Sequence, residues 1–286
     1  MNLNDLKLFE AVVHYGSFTK AAEVMFTVQS NVTARIKRLE REFGTTLFVR
    51  TPRKVELTAA GKSMLNYSKQ INNLLEAAKL SLSKDQPVKG EFRLGFLETT
   101  LTQQGPKVVN RMAEAYPLIN LHLTSGMRDT LVCQVLNYQL DAALIPGPIR
   151  HEELEQLPIN DERIVIVTPM HIHTLEDLLA QPQVKVVVSS EGCFFRARLE
   201  AWLMSHNIMD YHKTVVNSVE GVISFIESGI GFSMLPEEII STFYSGRKVR
   251  MLPLQNEIGT FSNTLIYRKE SATSPILNAF IGLFHT

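Results

Sequence analysis

The stretch from Ala21 to Glu40 constrains this chain more than any other. Ala21-Ala22-Glu23-Val24-Met25 reads as the end of one helix. Val32, Ile36, Leu39 and Phe43 then recur at steps of four, three and four, which puts them on one face of a second helix as an inward stripe. The outward face carries Gln29, Ser30, Asn31, Thr33, Ala34 and Lys37. Two helices joined by a tight connection, the second apolar on one side and polar on the other, have the layout of a helix-turn-helix. Its second helix enters the DNA major groove.

The flanking sequence completes such a head. Leu3, Leu6, Phe9 and Val13 predict a first helix over residues 3–15, stopped at Gly16. Ser17 caps the next helix, Phe18–Met25. The start of the third helix is capped by Thr27 or by Ser30, and Gly44 ends it. From Leu47 to Leu57, two short apolar arms flank a basic Pro-containing turn, a β-wing. Thr58 caps a long helix from Ala59 to about Leu82. Along it Met64, Tyr67, Ile71, Leu74 and Ala78 keep heptad spacing. One reading is an amphipathic helix packed on its own domain. The favoured one is a dimer seam, because so long a helix has little else nearby to bury against. Ser83–Gly90 reads as a linker.

Past residue 90 the pattern becomes strand–helix–strand. Strands at Glu91–Leu97, Ile119–Thr124 and Leu140–Ile145 alternate with helices at Leu101–Tyr116 and Asp129–Tyr138. The cadence returns with strands at Val184–Val188, Thr214–Asn217 and Ile230–Leu235, and helices at Phe195–His206 and Val219–Ser228. Two such units predict two α/β lobes with mostly parallel sheets. Ile164–Thr168 is expected to cross from lobe one to lobe two. Thr260–Tyr267 crosses back, and Ser274–Phe284 closes lobe one. The expected fold is therefore an N-terminal winged helix-turn-helix (residues 1–58) and a linker helix with hinge (59–89). A two-lobed α/β domain like a periplasmic binding protein follows (90–286). Lobe one takes about 90–162 and 265–286, and lobe two about 163–264.

The formal net charge is +0, but its distribution is uneven. Residues 1–86 hold 13 Lys/Arg against 8 Asp/Glu, while residues 87–286 hold 16 against 21. A basic head on an acidic body suits a domain that neutralises phosphates joined to one that does not. Cys133 and Cys193 lie too far apart in sequence to form a disulfide framework, which favours a reducing cytoplasm. No basic and apolar leader opens the sequence, and no apolar run reaches the roughly 18 residues of a membrane span.

Gln29 and Asn31 suit adenine, Ser30 and Thr33 are permissive, and the Ala34 methyl suits a thymine methyl. Lys37 joins them, and Arg50, Arg53 and Lys54 on the wing suit phosphate or the minor groove. Arg35, Arg38 and Arg41 lie more to the flanks, either near the DNA or as solvated surface charges, the second reading being favoured for Arg41. In the two-lobed domain, helix starts after strands gather backbone N–H donors at Glu98-Thr99-Thr100, Ser125-Gly126-Met127, Gly192-Cys193-Phe194 and Ser218-Val219. Thr99, Thr100, Ser125 and Ser218 offer hydroxyls to a small anionic ligand, or else simply cap helices. Glu98 repels an acid unless it points away, or else favours a ligand carrying an amine. A helix start and nearby Arg196 favour a thiolate at Cys193, so a redox sensor is the sharper alternative to a plain half-buried thiol. His171 and His173 have no further ligand at metal spacing and read as a loop pair. No nucleophile elbow, phosphate loop or dinucleotide fingerprint is present, so no catalytic residue, cofactor or metal is expected.

These residues resemble the LysR-type transcriptional regulators. The match runs through Phe9, Gly16-Ser17-Phe18-Thr19-Lys20-Ala21-Ala22, Gln29 and Ile36-Lys37-Arg38-Leu39-Glu40. It continues through Gly44, Leu47-Phe48-Val49-Arg50 and Leu57-Thr58-Ala59-Ala60-Gly61. Ser218-Val219-Glu220 and Gly229-Ile230-Gly231-Phe232-Ser233-Met234-Leu235-Pro236 look like the late motif of that family's effector domain. Where the family has Ser or Thr before the Gln and Pro after it, this chain has Val28 and Ser30. The resemblance implies a homodimer or dimer of dimers on an inverted-repeat DNA site, with promoter output set by a small effector. A solute-binding protein or two-lobed enzyme is the rival class, and the N-terminal helix-turn-helix argues against both.

Overall fold

A computed structural model describes residues 1–51, 54–82, 87–255 and 258–284. Two compact units are built on Met1–Asp85 and on Gln86–Leu136 with Leu140–Thr286.

The first unit runs α1 (Leu3–Tyr15), α2 (Phe18–Val24), α3 (Gln29–Glu42), β1 (Phe48–Thr51), β2 (Lys54–Leu57) and α4 (Ala59–Leu82). Asn2 opens α1 with a capping box. Its side chain accepts from the Asp5 N–H, and the Asp5 carboxylate accepts from the Asn2 N–H. Gly16, at φ 60°, closes α1 in the left-handed conformation that glycine adopts without strain. Ser17 caps α2 as expected. Leu8, Phe9, Val12, Phe18, Ala21, Val32, Ile36, Leu39 and Phe48 share one core. The Phe48 ring lies 5.3 Å from Phe9 and 5.7 Å from Phe18. Phe43 corrects the expected stripe. It follows the last residue of α3 and is 46% exposed.

β1 and β2 pair antiparallel, Phe48 opposite Leu57, and form the wing arms. Glu40 Oε1 accepts the backbone N–H groups of Leu47 and Phe48, tying the wing to α3. Thr58 caps α4 through the Gly61 N–H and donates its own hydroxyl to the Thr46 carbonyl. Gly61 is needed at that contact, because a Cβ there would stand 2.1 Å from the Leu47 carbonyl oxygen. Glu10 docks α4 on α1 by accepting from Ser68 Oγ and Asn72 Nδ2.

The second unit begins with β3 (Gly90–Phe96), α5 (Glu98–Ala115), β4 (Ile119–Ser125), α6 (Arg128–Leu136), β5 (Ala142–Pro146) and β6 (Leu154–Pro169). It continues with α7 (Leu175–Leu179), β7 (Lys185–Val188), α8 (Phe194–Ser205), β8 (His212–Val215) and α9 (Val219–Glu227). β9 (Ser233–Pro236), α10 (Glu237–Phe243), β10 (Val249–Pro253), β11 (Thr260–Arg268) and α11 (Pro275–Gly282) complete it. β3 lies parallel to β4 and β5. β11 pairs antiparallel with β5 and with the first part of β6. From Ile164 onward β6 pairs with β9 and β10 instead, so this one strand passes from one half of the unit to the other. α11 returns to the first half, where Phe280 packs 5.1 Å from Phe92 of β3.

Three differences from the sequence reading have physical causes. β6 is 16 residues long, and only its apolar end was legible. Its first part is mostly exposed or half-buried and contains Pro158, accommodated where the register with β11 shifts. α5 starts at Glu98 rather than Leu101, so Thr99 and Thr100 lie in its first turn. β9 and β10 run antiparallel to β6 within the large sheet, so the strands of the second half are not mostly parallel. The parallel pairing there is a separate two-stranded sheet of β7 and β8, touched by an isolated parallel bridge between Val186 and Phe232.

Candidate nucleic-acid interface and ligand cleft

In the first unit, α3 leaves Gln29, Ser30, Ala34 and Lys37 exposed and Thr33 half-buried. Its N-cap is Val28, and no side chain accepts from its first turn. Neither Thr27 nor Ser30 caps it, contrary to expectation. Thr27 Oγ1 instead accepts from Asn31 Nδ2 at 2.8 Å, which draws that hydroxyl away from the helix start. Asn31 Oδ1 accepts from Arg35 Nε, so both ends of this amide are engaged within the fold.

Arg35 and Arg38, left open between DNA flank and solvated surface, are engaged within the fold while keeping part of their surface in water. Both donate to Asp5, whose side chain is fully buried: Arg35 Nη1 reaches Oδ1 at 2.8 Å and Arg38 Nη2 reaches Oδ2. Burial pushes the Asp5 carboxyl up, but hydrogen bonds from Arg38, Arg35 and the Asn2 backbone outweigh it and hold it below the usual carboxylate range. The pair thus locks α1 to α3. Arg41 Nε turns back to the Lys37 carbonyl. Arg53 lies outside the described residues, as do the side chains of Arg50 and Lys54. On α4, Met64 packs against the head core, whereas Tyr67 is 59% and Leu74 49% exposed, with Ile71 half-buried between them and Ala78 exposed further on.

In the second unit a cavity of about 230 Å³ opens where the strand ends of the two halves meet. Of the expected residues, Glu98, Thr99, Ser125, Gly126, Met127, Cys193, Phe194 and Val219 line it. Thr100 and Ser218 do not. The earlier start of α5 turns Thr100 into the interior, where it is 2% exposed. Ser218 Oγ is occupied as the α9 cap, accepting from the Gly221 N–H at 3.1 Å.

The N-caps of α5 and α8 are Leu97 and Cys193, and neither gives a side-chain cap. Their first N–H groups therefore open beside the cavity without local side-chain acceptors. Arg128 and Arg196 also line it. Arg128 is held by the carbonyls of Pro146 and Pro148. Arg196 is held by Glu200 and the Ser189 carbonyl. Leu97, Phe195, Val222, Met234 and Leu235 supply apolar wall, with Ser189, Asn217 and Ser233 as polar members.

Sequence reasoning did not count Arg128, Arg196, Asn217 or Ser233 as lining residues. Ser233 lies inside a motif that it did single out, and the other three lie beside one. Cys133 and Cys193 are both free. Among the described residues, no group of three His, Cys, Asp or Glu could hold a metal ion, and no helix is long and apolar enough to cross a membrane.

Comparison with known proteins agrees with this architecture along the whole chain. Residues 3–62 match the bacterial regulatory helix-turn-helix protein, lysR family, and residues 85–286 match the LysR substrate binding domain. The transcriptional regulator YusT of Bacillus subtilis is 35% identical over 99% of this chain and 95% of its own. CzcR of Bacillus cereus is 32% identical over 98% and 96%. A full-length OxyR variant from Pseudomonas aeruginosa superposes with a TM-score of 0.74 at 19% identity, over 100% of this chain and 94% of its own. Full-length CbnR complexed with its target DNA gives 0.71 at 20%, over 100% and 99%. The chain belongs to the LysR family of transcriptional regulators, joining a DNA-binding helix-turn-helix to an effector-binding substrate domain.

Proposed function

We propose that residues 1–58 read DNA, 59–89 dimerise and transmit, and 90–286 bind the effector, in a cytoplasmic regulator that is not an enzyme. Gln29, Ser30, Thr33, Ala34 and Lys37 face the major groove. Asn31 shapes the helix start, and Arg50, Arg53 and Lys54 hold phosphate from the wing. The exposed Tyr67 and Leu74, with Ile71 and Ala78, form the dimer seam, while Met64 belongs mainly to the head. A symmetric dimer, alone or paired into a dimer of dimers, then takes an inverted-repeat site.

One observation carries the effector reading: two uncapped helix starts and two guanidinium groups meet at a largely apolar cavity. That chemistry suits a compact molecule with an acidic end and an apolar body. Glu98 at the mouth disfavours a second acidic group near it.

DNA reading is tested on a duplex enriched from a random library by the full-length chain. Gln29→Ala costs about 1–3 kcal/mol on that duplex and relaxes preference at one base pair. Equal weakening on random DNA would remove Gln29 as a reader. For the seam, Ile71→Asp with Leu74→Asp sets like charges against their symmetry mates. Sedimentation then reports monomer and inverted-repeat binding collapses. An unchanged sedimentation profile with unchanged affinity discards the seam.

A further inference from the structure

The turn between α2 and α3 carries an arrangement that the fold itself does not use. Phe26 sits at φ 51°, a left-handed conformation that bulky L-residues rarely adopt. Its ring is 97% exposed, and Val28 two residues on is 64% exposed. A glycine or asparagine would take this backbone with less strain and without showing an aromatic ring to water. Strain and exposure both burden the free protein, and among the described residues of the first unit nothing packs on the ring to repay either.

Whatever covers the ring must therefore come from outside the fold, and the position of the turn says what. Phe26 and Val28 run directly into Gln29 and Ser30, the exposed start of α3. In a helix-turn-helix that end of the second helix lies against base edges. Asn31 Nδ2 holds Thr27 Oγ1 at 2.8 Å, so the turn between Phe26 and α3 is fixed to the helix it precedes. The apolar group that a major groove presents is the thymine C5-methyl, and phenylalanine is one of the side chains that meets it.

We infer that Phe26 is a specificity-determining DNA contact, packing its ring on a thymine methyl at the edge of the half-site read by α3. This rests on the DNA-reading role of α3. It adds an apolar reader outside the helix to the polar readers on it.

The test uses the full-length chain and the duplex that it enriches from a random double-stranded library. Phe26→Ala and Phe26→Asn are expected to keep or raise the melting temperature, since both remove an exposed ring and asparagine tolerates the backbone. Both are expected to lose about tenfold in affinity for the duplex. Replacing thymines one at a time by deoxyuridine removes only the methyl. At one position per half-site wild-type affinity falls about fourfold, while Phe26→Ala is indifferent there.

The inference is overturned if Phe26→Ala binds as tightly as wild type, or if every uracil substitution costs both proteins equally. It is also overturned if the variant changes self-association but not DNA affinity, which would make the ring a protein contact. Failure of the wild type to enrich any duplex would remove the α3 reading as well. Enrichment with an indifferent Phe26→Ala removes the Phe26 contact alone.

Discussion

Asp5 in the first unit and Glu162 in the second are both buried carboxylates, and their surroundings differ in sign. Asp5 is fully buried but faces Arg35 and Arg38, so its carboxyl is held below the usual carboxylate range. Glu162, on β6 just before that strand changes partners, is 6% exposed and meets amides. Asn263 Nδ2 donates to it, and Asn160 and Gln103 stand beside it. Burial raises its carboxyl above the usual range. Those amide bonds oppose the rise, and the charge of Glu238 adds to it. One unit uses a charge as a clamp between helices. The other places a costly charge where two halves of a sheet join.

Breaking the clamp has the larger expected effect. Asp5→Asn keeps the shape but leaves two guanidinium groups facing a neutral amide. Because Arg35 and Arg38 keep part of their surface in water, the loss is about 2 kcal/mol, below that of a fully enclosed pair. Hydrogen exchange should show it as faster opening of α1 and α3, with the β3–β11 sheet unchanged. In wild type this contribution is present above the ordinary aspartate pKa near 3.8 and disappears as pH falls through the lowered folded value. A protein whose α1 amides exchange identically in Asp5→Asn would show the clamp to be ornamental.

Glu162→Gln should act in the opposite direction. A raised carboxyl favours the protonated form in the fold. Its effect on stability is therefore benign in acid and turns adverse as pH rises above about 4.5, the ordinary glutamate value. The glutamine variant can still accept from Asn263 and carries no charge. It should be more stable than wild type by about 1 kcal/mol at neutral pH, with the gap closing in acid. Urea unfolding of both proteins across pH 4 to 8 measures it. A constant gap would mean that packing, not charge, separates them.

The two units were also unequally legible. The head follows from local pattern: Val32, Ile36 and Leu39 are all buried at the predicted spacing, and Ser17 and Thr58 cap as read. What escaped there is long-range, since nothing local to Arg35 or Arg38 points to Asp5 some thirty residues earlier. In the second unit the alternation of elements was legible, but their phases were not. A three-residue error at the start of α5 is enough to turn Thr100 from cavity to interior. The first part of β6 escaped because a half-buried strand with Pro158 reads as a loop. The cavity guanidiniums escaped because a lining residue is defined by two halves meeting, and sequence motifs describe one half at a time.

The smallest effect comes from the cavity wall, where α5 and α8 start without a side-chain cap although α9 beside them is capped by Ser218. In the head, α1, α2 and α4 start on Asn2, Ser17 and Thr58, all with side chains accepting from the first turn. α5 and α8 at the cavity start on Leu97 and Cys193 and have none. Cys193→Ser sets a good capping hydroxyl on α8 with almost no change of volume. If the open helix start serves a ligand, the added cap stabilises the unliganded chain by about 0.5–1 kcal/mol and competes with the ligand for the same N–H groups. The melting temperature should then rise slightly, while the stabilisation given by a panel of small carboxylates shrinks. Reporter output should not depend on peroxide in either protein. A peroxide response present in wild type and abolished by Cys193→Ser would replace the ligand with the thiol as the signal. Without such a response, a cap that stabilises the chain but leaves carboxylate binding untouched would move the ligand away from α8, towards the start of α5 and Arg128.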